Sequence, residues 1–311
     1  LKGENMSTLK KILFPTDFSR CANQALAHAL YLAKRHQAEV HMLHVTRSPE
    51  FDPGLLTPYT TDAEAWHRSL AEMASQQMAA ALRIHPTDAV RIKQAYRRGI
   101  SMAPEILQYA KDNEVDLIVM GTHGRRGLGH LFLGSVAEEV VRMAPCSVLT
   151  IREREEPVPV EAVERILVPV DFSDFSKTAL AYAKEMAVTY QAHLQFLHVV
   201  EEVVQPAFYW ASDPSLFAFG LDLKATIVKE MKNLLKETKG PEVAADFYVL
   251  EGRAANVIVN FAGSHNSDLI VISTHGLTGL AHMLQGSVTE KVVRMAPCPV
   301  LTVSAFGKAL L

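Results

Sequence analysis

The chain contains one block of sequence twice, and this internal repeat constrains its fold more than any other feature. The pattern GTHG, nine residues, then GS begins at residue 121, and a close copy, STHG, nine residues, then GS, begins at residue 273. The two loops are therefore 152 residues apart, and Asp17 matches Asp171 at an offset of 154 residues. Colinear matches at an almost constant offset predict two copies of one domain rather than a solenoid of short repeats.

A chain of 311 residues has room for two such domains of ordinary size. We expect the first domain at 6–152 and the second at 165–305. The segment between them, 153–164, reads EREEPVPVEAVE. Its charges and two prolines are typical of an exposed linker.

Short apolar runs alternate with longer amphipathic segments in the first copy. This alternation predicts an α/β fold in which a parallel sheet carries helices on both faces. Right-handed connections restrict it to a doubly wound sheet, whose ligands bind beyond the carboxyl ends of the strands. We expect strands at 10–15, 39–45, 90–96, 116–120 and 147–151, and helices at 19–36, about 61–84, 101–113 and 135–143.

Composition argues against several kinds of partner. The formal net charge is only −3, and no apolar run reaches the roughly 18 residues of a membrane-spanning helix. We therefore expect neither a nucleic-acid nor a membrane partner. Three cysteines suit a reducing compartment, which predicts a cytoplasmic protein. Cys146 and Cys298 occupy matching positions in the repeat, and we expect them to be buried and inert.

A strand, a glycine-bearing loop and a helix start together form a site that suits a phosphate group. The first amides of a helix lack intrahelical partners and point toward an anion, and glycine lets the backbone approach closely. The glycines concerned are Gly121, Gly124 and Gly134. No Gly-Lys-Ser/Thr occurs, so this is not a Walker A loop. Charge compensation would have to come from amides, a metal ion, or Arg125 and Arg126.

Two residues of the motif also have structural interpretations. Ser135 and Glu138 form an S-x-x-E pattern typical of a capping box, so we expect Ser135 to combine a cap with a ligand role and Glu138 to serve the cap. Asp17 ends the first strand, and Asp171 does so in the second copy. Each serves either a helix-entry turn or a contact with a ribose, a base or a metal ion.

The repeated histidines are expected to be structural. His123 and His275 lie in the glycine loops, but no further ligands stand at a spacing that suits a metal ion. We therefore predict structural or backbone roles for them, and no metal site. His44 and His198 lie on apolar strands, which predicts core positions.

These residues closely resemble the universal stress protein family in its tandem two-domain form, over nearly the whole chain from Lys10 to Thr302. The G-x2-G-x9-G-[S/T] pattern is the signature of the ATP-binding branch of that family, and Pro15-Thr16-Asp17 strengthens the match. The resemblance implies a five-stranded parallel sheet of order 3-2-1-4-5 in each domain. It also implies that the domains pair through their last strands, as an internal pseudo-dimer, with a further homodimer left open.

The resemblance carries a nucleotide site onto each copy. In the first copy it implies adenine and ribose near Pro15, Thr16, Asp17, Val45 and Met120, and phosphates against Gly121, His123, Gly124, Gly134, Ser135 and Val136. In the second copy it implies Pro169, Asp171, Val199, His275, Gly276, Gly286, Ser287 and Val288. Ser273 replaces the first glycine and Val170 replaces the threonine there, so we expect the first domain to be the stronger ATP site.

The resemblance implies an ATP-binding regulatory protein of stress responses, in which nucleotide occupancy changes a surface read by an unknown protein partner. The alternative is an enzyme, a slow Mg-dependent ATPase or a phosphate-transfer enzyme. No Ser-His-Asp or Cys-His set is repeated in register with the loop, so we expect no catalytic residues beyond weak hydrolysis assisted by Asp17. A flavin module is the third interpretation. The absence of a serine-glycine-glycine loop at the first strand argues against adenylation.

Overall fold

A computed structural model describes residues 9–47, 63–85, 87–124, 133–201, 214–274 and 287–304. The chain divides into two compact units, with the boundary between Val160 and Glu161. The elements of the first unit are β1 (Lys11–Pro15), α1 (Arg20–His36), β2 (Glu39–Arg47), α2 (Ala63–Arg83), β3 (Arg91–Gly99), α3 (Met102–Asp112), β4 (Leu117–Gly121), α4 (Ser135–Met143) and β5 (Ser147–Ile151).

The second unit repeats this order of elements. They are β6 (Arg165–Val170), α5 (Asp174–Tyr190), β7 (His193–Val200), α6 (Pro214–Glu237), β8 (Ala245–Glu251), α7 (Ala254–Ser264), β9 (Leu269–Ser273), α8 (Ser287–Met295) and β10 (Val300–Val303). The predicted alternation of strands and helices is thereby confirmed in both copies.

Each unit contains a parallel sheet with the strand order that the resemblance implied. The first sheet runs β3-β2-β1-β4-β5, and the second runs β8-β7-β6-β9-β10. The two domains are therefore tandem doubly wound α/β units. In the first, the chain reverses its direction of winding between β1 and β4, which is where such sheets hold their ligands.

The sheet core forms because its central strands are apolar on both faces. Ile12, Leu13 and Phe14 of β1 and Ile118 and Val119 of β4 have no exposed surface. A strand that is covered on both sides needs such a continuous apolar run. Helix α1 packs over β1 and β4.

Helix α1 begins and ends as its sequence predicts. The Ser19 hydroxyl accepts a hydrogen bond from the Ala22 amide at 3.1 Å, which satisfies one of the unpaired amides of the first turn. The helix ends where Gln37 turns into the left-handed region, with φ 54°. The start of α1 is thus anchored directly after β1, beside the predicted site.

The segment between the units is only partly the exposed linker that the sequence predicted. Val160 and Val163 are buried, and a single 3₁₀ turn covers Val160–Ala162. Residues three apart lie on the same side of such a turn, so the two valine side chains are buried on one side. Its beginning is held by α1, because Gln24 donates to the Arg154 carbonyl at 2.7 Å and Arg20 donates to the Glu155 carbonyl.

The three cysteines are free and buried. Burial raises the pKa of the Cys146 thiol to about 12, and it also raises the pKa of Cys21. The expectation that Cys146 and Cys298 are buried is confirmed. Within the described ranges, no helix is long and apolar enough to cross a membrane.

A buried histidine distinguishes the first sheet from the second. His41 of β2 is 2% exposed, its Nδ1 lies 3.1 Å from the Tyr109 hydroxyl, and its Nε2 lies 3.6 Å from a Glu39 oxygen. Burial lowers the pKa of His41 and outweighs the opposing effect of Glu39, while Lys93 and Lys11 lower it further. The matching position in β7 is Gln195, which does not titrate.

We expect His41→Gln to make the first domain less sensitive to acid. A histidine whose folded pKa is lowered stabilises the fold above its unfolded pKa, about 6.5, and that stability is lost as the pH falls toward the folded pKa. Urea unfolding followed by circular dichroism at about pH 7.5 and about pH 5.5 measures the effect. The midpoint of the first domain should fall less in the variant. Equal falls in variant and wild type would contradict this assignment.

Candidate functional site

The loop after β1 is tightly organised by its own polar groups. The Thr16 amide donates to the Leu43 carbonyl at 2.8 Å, which continues the β1–β2 pairing by one residue. The Phe18 amide donates to the Thr16 hydroxyl at 3.0 Å, and the Ser19 amide donates to Asp17 Oδ1 at 3.0 Å. One oxygen of Asp17 therefore serves the helix-entry turn, as one sequence interpretation predicted, and its other oxygen faces elsewhere.

The glycine loop lies against this turn, and two of its glycines are needed for the close approach. A methyl group built on Gly124 would lie 2.6 Å from Asp17 Oδ2. A methyl group on Gly121 would lie 2.8 Å from Cys21 Sγ and 3.2 Å from the Cys21 carbonyl carbon. Gly124 thus borders the loop after β1, and Gly121 borders the first turn of α1, where an added methyl group would meet these atoms.

Gly134 closes the loop onto β4 and begins helix α4. Its amide donates to the Thr122 carbonyl at 2.8 Å, and a methyl group there would lie 3.0 Å from the same carbonyl oxygen. Its own carbonyl accepts from the Glu138 amide at 2.9 Å, which makes Gly134 the N-cap. The amides of Ser135, Val136 and Ala137 consequently belong to the first turn, which has no intrahelical acceptors.

The predicted capping box at Ser135 and Glu138 is wrong. Ser135 is the first helical residue, one position beyond the cap, and it is exposed. A capping box needs the serine in the extended N-cap position, which Gly134 occupies with ψ 142°. Gly134 has no side chain, so the N-cap position itself supplies no capping oxygen. The positive end of the helix dipole therefore begins at Gly134, next to Thr122.

The remaining residues of the first candidate site lie at the carboxyl ends of adjacent strands. Pro15 ends β1, Val45 lies near the end of β2, and Met120 lies one residue before the end of β4. Met120 is 5% exposed and Val45 is partly exposed. These positions surround the same edge of the sheet as Asp17.

His123 lies between Gly121 and Gly124, and its ring contacts the preceding residue, Thr122. Its Nδ1 lies 2.8 Å from the Thr122 hydroxyl. Among the described residues, no group of three or more His, Cys, Asp and Glu could hold a metal ion. Arg125 and Arg126, named as possible charge partners, lie outside the described residues.

Two aromatic residues of this region were not identified as site residues from the sequence. His44 was expected in the core, but it is only half-buried and lies at the same edge of the sheet. Its ring centroid lies 4.6 Å from that of Phe18, and its Nδ1 lies 2.7 Å from the Thr16 carbonyl oxygen. The internal repeat could have identified both residues, because Phe18 and His44 recur at an offset of 154 residues.

The turn after β6 in the second unit matches the turn after β1, but its polar contacts differ in part. Pro169 and Asp171 follow the course of the first copy, and the Ser173 amide donates to Asp171 Oδ1 at 3.1 Å. In addition, the Ser173 hydroxyl donates to that oxygen at 2.6 Å. His198 was also expected in the core, but it is half-buried, and its Nδ1 lies 2.8 Å from the Val170 carbonyl oxygen.

Part of the second candidate site falls in the described structure. Val199 lies near the end of β7, and Ser287 and Val288 begin α8. Ser273, which replaces the first glycine, ends β9, and its carbonyl accepts from the Thr289 hydroxyl at 2.7 Å. The other predicted residues of this site, His275, Gly276 and Gly286, lie outside the described residues.

Comparison with known proteins matches both copies to one family. The model of the universal stress protein family matches residues 8–152 and 162–304. Universal stress protein MJ0531 of Methanocaldococcus jannaschii is 34% identical over 151 residues, which are 49% of this chain and 85% of that protein. Universal stress protein Mb2028c of Mycobacterium bovis is 30% identical over 194 residues, 61% of this chain and 62% of that protein.

The fold has a counterpart among solved structures. A universal stress protein from Archaeoglobus fulgidus superimposes with a TM-score of 0.61, over 96% of this chain and 97% of that one. The two sequences are 21% identical, so this likeness shows the fold.

We expect Gly121→Ala and Gly124→Ala to differ in stability. The first adds a methyl group against the backbone of α1, which must move, and overpacking of this kind costs about 1–3 kcal/mol. The second meets only the end of the Asp17 side chain, which can rotate away, so it should cost less than about 1 kcal/mol. Urea unfolding of the two variants measures the difference. Equal losses would show that the glycine loop does not pack as described.

Proposed function

The chain belongs to the universal stress protein family, and from this premise we propose that it binds an adenine nucleotide, with ATP as the ligand that its first site suits best. The observation that carries the proposal is the contact of Gly124 with Asp17. Together with the hydrogen bond from Gly134 to Thr122, it brings a carboxylate, a glycine backbone and a helix start with a glycine N-cap to one edge of one sheet.

The ribose and the phosphates of a nucleotide each match one part of this arrangement. The ribose hydroxyls are donors, and Asp17 Oδ2 is an acceptor at the switch point of the sheet. The phosphates are anions, and the amides of Ser135 and Val136 are donors at the positive end of α4. Gly124 lets the backbone approach the Asp17 carboxylate closely, so the residues present fit the ligand.

The base would lie beyond β1 and β2. Pro15 and Thr16 border that region on one side and Val45 on the other, with Met120 at the end of β4. This surface is largely apolar, and an adenine ring would be covered there while its edge meets backbone groups.

The second domain is proposed as the weaker site. Thr16 is replaced by Val170, which removes the hydroxyl that accepts from the Phe18 amide in the first copy. Ser273 adds a side chain where the first copy has Gly121, and a hydroxymethyl group reduces the close approach that glycine permits. Both replacements remove a feature, the hydroxyl or the glycine, on which we propose that the first site depends.

A regulatory function is the one that we propose for this site. His123 Nδ1 lies 2.8 Å from the Thr122 hydroxyl, and the sequence repeats no Ser-His-Asp or Cys-His set in register with the loop. Binding would then act through the conformation of the glycine loop and α4, and a protein partner would respond to that surface. Slow hydrolysis remains the second candidate, because Asp17 is a carboxylate beside the phosphate-binding amides, where it could orient a water molecule or a bound magnesium ion.

Aspartate substitutions in the two loops test the unequal sites. Gly124→Asp places a second negative charge beside Asp17 and the phosphates, and it should abolish the stronger calorimetric binding event with ATP. Gly276→Asp is the matched change in the second domain, and it should remove only the weaker event. Mass spectrometry of nucleotide retained through purification identifies the natural ligand. Equal losses from both variants would refute the ranking.

The enzymatic alternative has its own test. We expect the purified protein to show no steady phosphate release above that of Asp17→Asn measured in parallel with excess magnesium and ATP. Turnover that disappears in Asp17→Asn while ATP still binds would identify the protein as a slow ATPase instead.

A further inference from the structure

Two phenylalanines adopt a backbone conformation that bulky residues avoid. Phe18 has φ 64° and Phe172 has φ 62°, both in the left-handed region. A non-glycine residue with a large side chain is strained there and persists only where the surroundings impose the conformation. The same strain at the same place in both copies requires a cause that both copies share.

The threonine hydroxyl is not that cause. In the first copy the Phe18 amide donates to the Thr16 hydroxyl, but the second copy has Val170 at this position and no hydroxyl to accept. Phe172 nevertheless has almost the same φ. The duplication thus separates an interaction that accompanies the strained turn from one that could impose it.

Two interactions at the turn are present in both copies: the bond from the serine amide to the aspartate, and a histidine contact. His44 Nδ1 lies 2.7 Å from the Thr16 carbonyl oxygen, and His198 Nδ1 lies 2.8 Å from that of Val170. A carbonyl only accepts, so Nδ1 carries the hydrogen and donates in each case. The rings then lie against the strained phenylalanines, with centroids 4.6 Å apart for Phe18 and 4.9 Å apart for Phe172.

The turn that the histidine contacts also contains the carboxylate. Asp17 lies between the carbonyl that His44 holds and the phenylalanine on which its ring packs. One Asp17 oxygen is fixed by the Ser19 amide, and the other faces Gly124. A relaxation of Phe18 out of the left-handed region would rotate the chain at Asp17 and move that second oxygen away from the glycine loop.

We propose that His44 is a positioning residue of the first nucleotide site, and His198 of the second: each holds the strained turn that aims the adjacent aspartate at the ligand. This inference rests on the proposed nucleotide binding and adds how the carboxylate is placed. His44 acts through Asp17 on the ribose end of the ligand. It leaves the phosphate-binding amides of α4 unaffected.

Two substitutions separate the parts of the contact. His44→Phe keeps an aromatic ring against Phe18 but removes the donor to the Thr16 carbonyl. His44→Asn keeps a donor close to the place of Nδ1 and removes the ring. His198→Phe is the matched control in the second domain. Circular dichroism and thermal melting establish that each variant is folded before binding is measured.

Calorimetry with ATP and with inorganic tripolyphosphate tests the proposal. Loss of one hydrogen bond that orients a charged group should lower the affinity of the first domain for ATP about tenfold in His44→Phe. Tripolyphosphate has no ribose and would bind only the amides at the start of α4, so its affinity should change less than about twofold. His44→Asn should recover part of the ATP affinity, and His198→Phe should leave the first domain unchanged.

A double-mutant cycle with Asp17→Asn completes the test. If His44 acts through Asp17, His44→Phe should cost little more in the Asp17→Asn background, and the two effects should be non-additive. Independent effects, or equal losses of ATP and tripolyphosphate affinity, would overturn the positioning role while nucleotide binding stands. If His44→Phe does not fold, the same cycle with His44→Leu decides, because leucine also lacks the donor. A wild-type protein that binds neither ligand would overturn both proposals.

Discussion

The close approach of the glycine loop to the turn after β1 is the constraint on which the candidate site depends. Gly121 lies against the first turn of α1, and Gly124 lies against the Asp17 carboxylate. These contacts exist because β1 and β4 are neighbours in the sheet, so that two segments about 100 residues apart in sequence leave it side by side. The gap between two outgoing loops becomes a binding site only if neither loop fills it with side chains.

The duplicated chain supplies its own internal comparison. Both copies keep the aspartate turn, the strained phenylalanine and the histidine contact. They differ where a ligand or the core would be affected: a glycine has become Ser273, and the buried His41 has become Gln195. The retained features belong to the architecture of the turn, and the replaced ones can change without loss of the fold.

Sequence reasoning predicted the elements well because their signals are local. Apolar runs of four to six residues marked β1, β4 and β5, and Ser19 marked the start of α1, as the structure confirms. The same reasoning was wrong at α4, where the S-x-x-E pattern suggested a serine cap. Whether a serine is at the cap or one residue beyond it depends on the backbone of Gly134, and that backbone is held by Thr122, twelve residues earlier.

The amino-acid sequence by itself determined the duplication, the α/β class and the positions of the glycines and aspartates, because each is a matter of composition or spacing along the chain. Only the tertiary structure decided that His44 contacts the Thr16 carbonyl at the edge of the sheet, and that one Asp17 oxygen accepts from the Ser19 amide while the other faces Gly124. Such relations depend on which strands are neighbours in the sheet. Strand order brings together residues whose separation in sequence carries no trace of their distance in space.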